Sequence, residues 1–188
     1  MRHVIACLVE NKAGVLAQIS GLFSSRGFNI DSLAVGETEN PALSRMTIAV
    51  HGDDATLEQV KKQLEKVIDV VRVEDLSSTD YVERDLMLVK IQTLRGQRTE
   101  ILEIASVFRA KVVDLGAKDI TLEISGEESK LEALLSLLKP YGVKELVRTG
   151  AIAIRRGEKH AHGAVVEATG APALKRGAQE EKGESADV

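Results

Sequence analysis

The sequence predicts an α+β protein made of two consecutive βαββαβ units. Three observations carry that expectation. Apolar residues alternate at a period of two in some stretches and recur at helical spacing in others, so strands and amphipathic helices interleave. The order of these stretches runs through once, breaks at the polar run Ser77-Ser78-Thr79-Asp80, and runs through again with different residues. The 188 residues suffice for one ordinary domain or two small ones, and with three Phe, two Tyr and no Trp the cores must be aliphatic.

Residues 3–9 are nearly all apolar, as suits a central strand covered on at least one face. After the turn 10–14, Val15, Ile19, Leu22 and Phe23 share one helical stripe that Leu16 widens, and Ser25-Arg26-Gly27 closes the helix with a C′ glycine. A second strand is expected over residues 28–38, its alternation slipping near Asp31-Ser32 where a bulge would fit. Residues 37–41 turn the chain, and Met46, Ile48 and Val50 alternate in a third strand. Gly52-Asp53-Asp54 caps a helix on Leu57, Val60, Leu64 and Val67, and residues 70–76 form a fourth strand. This is the ferredoxin-like order, with both helices on one face of an antiparallel sheet. The other face and two edges need cover or partners.

In the second unit, residues 86–93 read as a strand and Ile101, Ile104, Ala105 and Phe108 as a helix. Val112-Val113-Leu115 and the alternating Ile120, Leu122 and Ile124 give two strands, and Leu131, Leu134, Leu135 and Leu138 a helix stopped by Pro140 and Gly142. Residues 143–154 close the unit. The first turn here, Leu94-Arg95-Gly96-Gln97-Arg98, lacks the Asn11-to-Gly14 spacing and carries two arginines. Solvation is the stronger reading of them, a protein contact the alternative. Domains are expected at 1–77 and 78–157. From 158 to 188 Gly, Ala, Lys and Glu prevail and Leu174 is the only leucine, so a disordered tail is expected. His160 and His162 in it read as incidental, not as a metal site.

A formal charge of −4 gives no electrostatic reason to expect nucleic acid or an anionic membrane. Cys7, the single cysteine, lies in an apolar run and reads as a buried structural thiol. No signal-peptide succession opens the chain and no apolar stretch approaches ~20 residues, so a reducing cytoplasm is the expected setting.

The chemistry concentrates in residues 10–32. A helix N-terminus offers unpaired N–H groups and partial positive charge to a carboxylate or phosphate; Gly14 leaves room there, and Asn11 adds an amide. On the local residues alone, a turn role is the stronger reading of both. Asn29 stands between Phe28 and Ile30, and in a strand it would face away from their core, toward an edge or partner. None of these groups suits nucleophilic or acid–base work. The pattern is that of a binding site.

Four blocks, ENKAGVL, GLFSSRGFNIDSLAV, PALSRMTI and ERDLMLVKI, resemble in order and spacing the small regulatory subunit of acetolactate synthase, over about residues 1–157. The resemblance implies an N-terminal ACT domain, a ligand-sensing module, and a second domain of related fold. It implies a homodimer through the ACT domains and a large catalytic subunit as partner. That subunit would join two pyruvates, or pyruvate and 2-oxobutanoate, with thiamine diphosphate, Mg and FAD. No cofactor, catalytic residue or metal is expected on this chain, which has no Gly-rich cofactor turn. The implied allosteric ligand is valine, or leucine or isoleucine, with Asn11, Ala13, Gly14, Val15 and Leu16 on its carboxylate side and Asn29 and Ile30 from the neighbouring subunit. An RNA-binding module of the same order would need aromatics on its central strands, which here carry aliphatics. An acylphosphatase-like hydrolase would need an arginine in the first turn, and residues 11–14 contain none. A free-standing double-ACT regulator of another protein is the remaining alternative.

Overall fold

Strand β1 (Arg2–Glu10) is apolar toward both sides, and from Val4 to Cys7 both sides are buried. The computed structural model describes residues 1–94 and 96–157. The expected tail with its two histidines, and Arg95, lie outside the described residues. After β1 come α1 (Val15–Ser25), β2 (Ser32–Glu37), β3 (Leu43–His51), α2 (Asp54–Leu64) and β4 (Val70–Asp75). The second half follows as β5 (Tyr81–Gln92), α3 (Arg98–Val107), β6 (Lys111–Leu115), β7 (Asp119–Gly126), α4 (Glu128–Leu138), β8 (Val143–Arg148) and β9 (Ile152–Arg155). The sheets run β2-β3-β1-β4 and β6-β7-β5-β8, both antiparallel, so each half has the ferredoxin-like topology.

Period-two patterning sets the register. Ile5 faces Ile48 and Cys7 faces Met46. These side chains meet Val15, Ile19 and Phe23 of α1 and Leu57, Val60 and Leu64 of α2 in one core. Met87, Val89, Ile91, Ile101, Leu131 and Leu134 form its counterpart. The halves repeat at constant spacing: Ile5, Cys7, Val9 and Ile19 have Met87, Val89, Ile91 and Ile101 as equivalents, all with almost no exposure.

Helix α1 ends as its glycine dictates. Gly27 takes φ 71°, its N–H bonds Ser24 O, and Phe28 N–H reaches back to Phe23 O at 3.0 Å. The Phe23 and Phe28 rings then meet edge to face, centroids 6.4 Å apart. This corrects the strand expected from residue 28. Phe28 and Ile30 are apolar because a loop folds them onto the core, so β2 begins only at Ser32 and pairs β3 without a register shift. The irregularities fall instead at Leu8/Val9, Lys90/Ile91 and Val112/Asp114.

Helix α2 is capped by Asp53, whose Oδ1 accepts Thr56 N–H at 2.8 Å. Hydrogen bonding from Thr56 holds that carboxyl below the usual carboxylate range. A lowered folded value means the cap contributes above the unfolded Asp pKa, about 3.9, and is lost as pH falls through the folded value. Asp53→Ala is therefore expected to melt on the order of 3 °C lower at neutral pH, with the difference closing in acid. Thermal melts of both proteins between neutrality and acid test this.

Two further expectations are corrected in the second half. Strand β5 begins at Tyr81, well before residue 86, and residues 143–154 are two strands. Tyr81–Arg84 pairs with β9, a two-stranded extension off the main sheet. The break falls at Thr149-Gly150-Ala151, where Gly150 adopts φ 83° and its missing Cβ would lie 2.9 Å from Ser32 Oγ and 3.1 Å from Leu33 O. Ala151 N–H donates to Ser32 Oγ at 2.8 Å. Leu76, Tyr81 and Ala153 cover Val4 and Ala6 on the outer face of the first sheet. Arg2 binds Glu83 at 2.7 Å and Glu128 at 2.9 Å, and Arg155 binds Glu74 at 3.0 Å. Met1–Arg156 is thus one compact unit.

Candidate functional site

The β1–α1 turn is fixed by its backbone. Asn11 N–H donates to Ala42 O at 2.8 Å and Lys12 N–H to Glu10 O at 3.0 Å. Gly14, at φ 94° and ψ −20°, is the N-cap of α1, with no side chain capping the helix and no acidic residue in its first turn. Val15 N–H reaches Lys12 O at 3.5 Å and the helical ladder opens with Gln18 N–H on Gly14 O, so the Leu16 and Ala17 amides are left without a helical partner. A Cβ on Gly14 would meet nothing within 4 Å. This helix end is bare, open and electropositive.

Asn11, Ala13, Gly14 and Leu16 are exposed at that end, while Val15 turns into the core. The Asn11 side-chain amide donates to Glu37 Oε1 and to Pro41 O, both at 3.0 Å. Glu37, the last residue of β2, is a neighbour that sequence reasoning missed. Read only as the start of a turn, it gave no signal, because strand pairing alone brings it beside Asn11.

Asn29 and Ile30 are not brought to this place. They follow the C-terminal end of α1, and an 11-residue helix is about 16 Å long, so it separates them from Gly14. Asn29 precedes β2 and is not part of it, and its amide donates to Asp31 Oδ1 at 2.9 Å. Asp31 Oδ2 in turn lies 2.7 Å from His51 Nδ1. Burial opposes the charge on Asp31, but the hydrogen bonds from His51 and Asn29 outweigh it and hold the carboxyl below its usual range. Ile30 packs against the first core.

Cys7 is fully buried, and burial pushes its thiol up to about 12 despite the opposing charge of Arg45. Such a thiol is inert. Among the described residues no three His, Cys, Asp or Glu side chains come together as a metal site. No described helix is long and apolar enough to cross a membrane.

Next to Glu37 lies a hollow of about 410 Å³ between the outer face of the first sheet and the β5–β9 extension. Ala34, Val35, Val82, Ile152 and Ile154 make it apolar, and Arg45, which donates to Ala153 O at 3.2 Å, stands at its wall. Asn11, Glu37 and this hollow form a physical path from the bare helix end to the second half.

Comparison with known proteins matches residues 84–157 to the family described as the small subunit of acetolactate synthase and residues 5–72 to the AHAS small subunit-like ACT domain. A probable acetolactate synthase small subunit of Archaeoglobus fulgidus is 49% identical over 159 residues, covering 85% of this chain and 99% of that one. The acetolactate synthase small subunit of Aquifex aeolicus is 47% identical, covering 82% of this chain and 81% of its own length. The crystal structure of the acetolactate synthase small subunit from Thermotoga maritima superposes with a TM-score of 0.77 at 40% identity, covering 85% and 99% of the two chains.

Proposed function

Because the chain belongs to the acetolactate synthase small-subunit family, we propose that it activates a thiamine-diphosphate-dependent catalytic subunit and makes that subunit sensitive to valine. One observation carries this: the uncapped N-terminus of α1, with Gly14 in a left-handed conformation and open space above it. The effector's carboxylate sits on the first amides of α1 with Ala13, Gly14 and Val15 around it. Asn11 orients it, Glu37 faces its ammonium group, and Leu16 borders its side chain. Leucine and isoleucine carry the same two charged groups and compete for this place.

Magnitudes require more than one loop. A helix terminus contributes ~0.3–2 kcal/mol for an anion, whereas a Kd of ~0.1 mM corresponds to about 5.5 kcal/mol. Asn29 and Ile30 lie too far along α1 to close on the same ligand within one chain, so they come from the neighbouring subunit of a homodimer. Strand β2 is an edge of the first sheet with Val35 exposed, and pairing it with a second β2 joins the two ACT domains. In this reading the first half, 1–77, senses and the second, 78–157, transmits. Thiamine diphosphate, Mg and FAD reside on the catalytic subunit, in the cytoplasm, and this chain holds none of them.

The test is the acetolactate-forming rate of the purified catalytic subunit, with and without this chain, across a valine titration. A rise on adding the chain followed by inhibition with valine is expected. No change in rate would remove the proposed partner, and activation without inhibition would remove the ligand. Asn29→His is expected to weaken valine about tenfold or more, the worth of one hydrogen bond to a charged group. Calorimetry on the whole chain measures it, and an unchanged affinity would take Asn29 out of the site.

A further inference from the structure

The β5–α3 turn repeats the geometry of the β1–α1 turn with different side chains. Gly96 stands four residues after the end of β5, as Gly14 does after β1, and takes φ 90° against 94°. Helix α3, ten residues long, has no side-chain cap at its N-terminus. Its one acidic first-turn residue, Glu100, accepts a hydrogen bond from Tyr141 Oη at 3.1 Å. Beside this end lies a hollow of about 670 Å³ lined by Thr93, Leu94, Gly96, Arg98 and Lys118, among others, with no carboxylate among the described residues that line it.

Thr93 holds the position that Asn11 holds in the first half. It is 8% exposed, and its hydroxyl has no hydrogen-bond partner among the described residues. Leaving a buried hydroxyl unmatched is costly, and most such groups in folded proteins have a partner. Arg98 is half-buried, and its guanidinium donates to Gly116 O at 2.7 Å, which fixes its charge at the wall of the hollow. Lys118 makes no ion pair among the described residues. The charged side chains among the described lining residues are both cationic, the Thr93 hydroxyl can also donate, and Gln92 adds a side-chain amide.

We propose that the N-terminus of α3 is a second ligand site, which takes the oxoanion of a small metabolite, carboxylate or phosphate. The anion lies on the outward amides of α3, accepts a hydrogen bond from the Thr93 hydroxyl, and is neutralised by Lys118 and Arg98. The site is independent of the one on α1, since its groups all belong to the second half.

Amide NMR spectra of the full chain, titrated separately with inorganic phosphate and with acetate against constant chloride, test the proposal. One of the two is expected to shift the Gly96, Gln97 and Arg98 amides saturably, and which one does so identifies the source of the oxoanion. Lys118→Gln and Thr93→Val should each raise the apparent Kd at least tenfold. Ligand-free Thr93→Val should melt no lower than the parent, because an unmatched hydroxyl has been replaced by a methyl group of similar shape. Shifts confined to the α1 amides, or no saturable shift up to about 50 mM, would overturn the proposal. So would binding that both variants leave intact.

Discussion

Gly14→Asp is expected to abolish inhibition by valine while leaving activation of the catalytic subunit within about twofold. The backbone at Gly14 sits at φ 94°, where an L-residue costs on the order of 1–2 kcal/mol, and aspartate is among the residues that visit this region. No atom lies within 4 Å of the added Cβ, so the fold accommodates the change. The new carboxylate stands at a bare helix N-terminus that favours negative charge, in the place proposed for the effector's own carboxylate. Loss of about 2.7 kcal/mol of effector binding, a hundredfold, moves inhibition beyond practical valine concentrations. Gly14→Ala separates charge from strain. It carries at least as large a backbone penalty without a carboxylate and should keep much of the inhibition. Valine titrations of the assembled enzyme with each variant measure both effects. Normal inhibition in Gly14→Asp would place the effector elsewhere.

The elements were legible where a local pattern and the final packing coincide. The stripe Val15, Ile19, Phe23 and the alternation Met46, Ile48, Val50 each mark one buried face, so period alone identified them. Gly27 and Asp53 ended and began helices by chemistry that acts within four residues. Phe28 and Ile30 misled because a loop residue packed on a core has the same apolar signature as a strand residue. The strand break at Gly150 was hidden for the opposite reason. Its cause is Ser32 and Leu33, more than a hundred positions away, and no local pattern records a contact of that range. At the candidate site the sequence displayed Asn11 and Gly14, whose turn chemistry is local. Glu37 became visible only when β2 had run the length of the sheet back to Asn11. Thr93 stayed hidden because its meaning lies in an unmatched hydroxyl, which is a property of the folded chain.

Arg148→Met is expected to cause the largest loss of stability among these substitutions. Arg148, the last residue of β8, places Nε 2.7 Å from Asp85 Oδ2 and Nη1 2.7 Å from Glu132 Oε1. Asp85 is only 4% exposed, and Thr149 Oγ1 at 3.2 Å is its other side-chain partner. Methionine keeps the aliphatic bulk but leaves a buried carboxylate without its counter-charge, which typically costs about 3–5 kcal/mol. For a chain of this size that corresponds to a melting temperature roughly 6–20 °C lower. The pair also sits at the root of Thr149-Gly150-Ala151, the segment that meets β2 through Ala151 N–H and Ser32 Oγ. The second core, with Met87, Val89, Leu131 and Leu134, is apolar throughout, so the halves should unfasten before that core melts. Hydrogen exchange would show this as early loss of protection at the Ala151 amide, ahead of the β5 and β7 amides. Combining Arg148→Met with Asp85→Leu removes the stranded charge, and Thr149 Oγ1 retains Gly150 O at 3.1 Å. The double variant should therefore recover most of the loss. A single variant melting within about 2 °C of the parent would show that Asp85 does not depend on Arg148. A double variant no better than the single would place the damage in packing and not in charge.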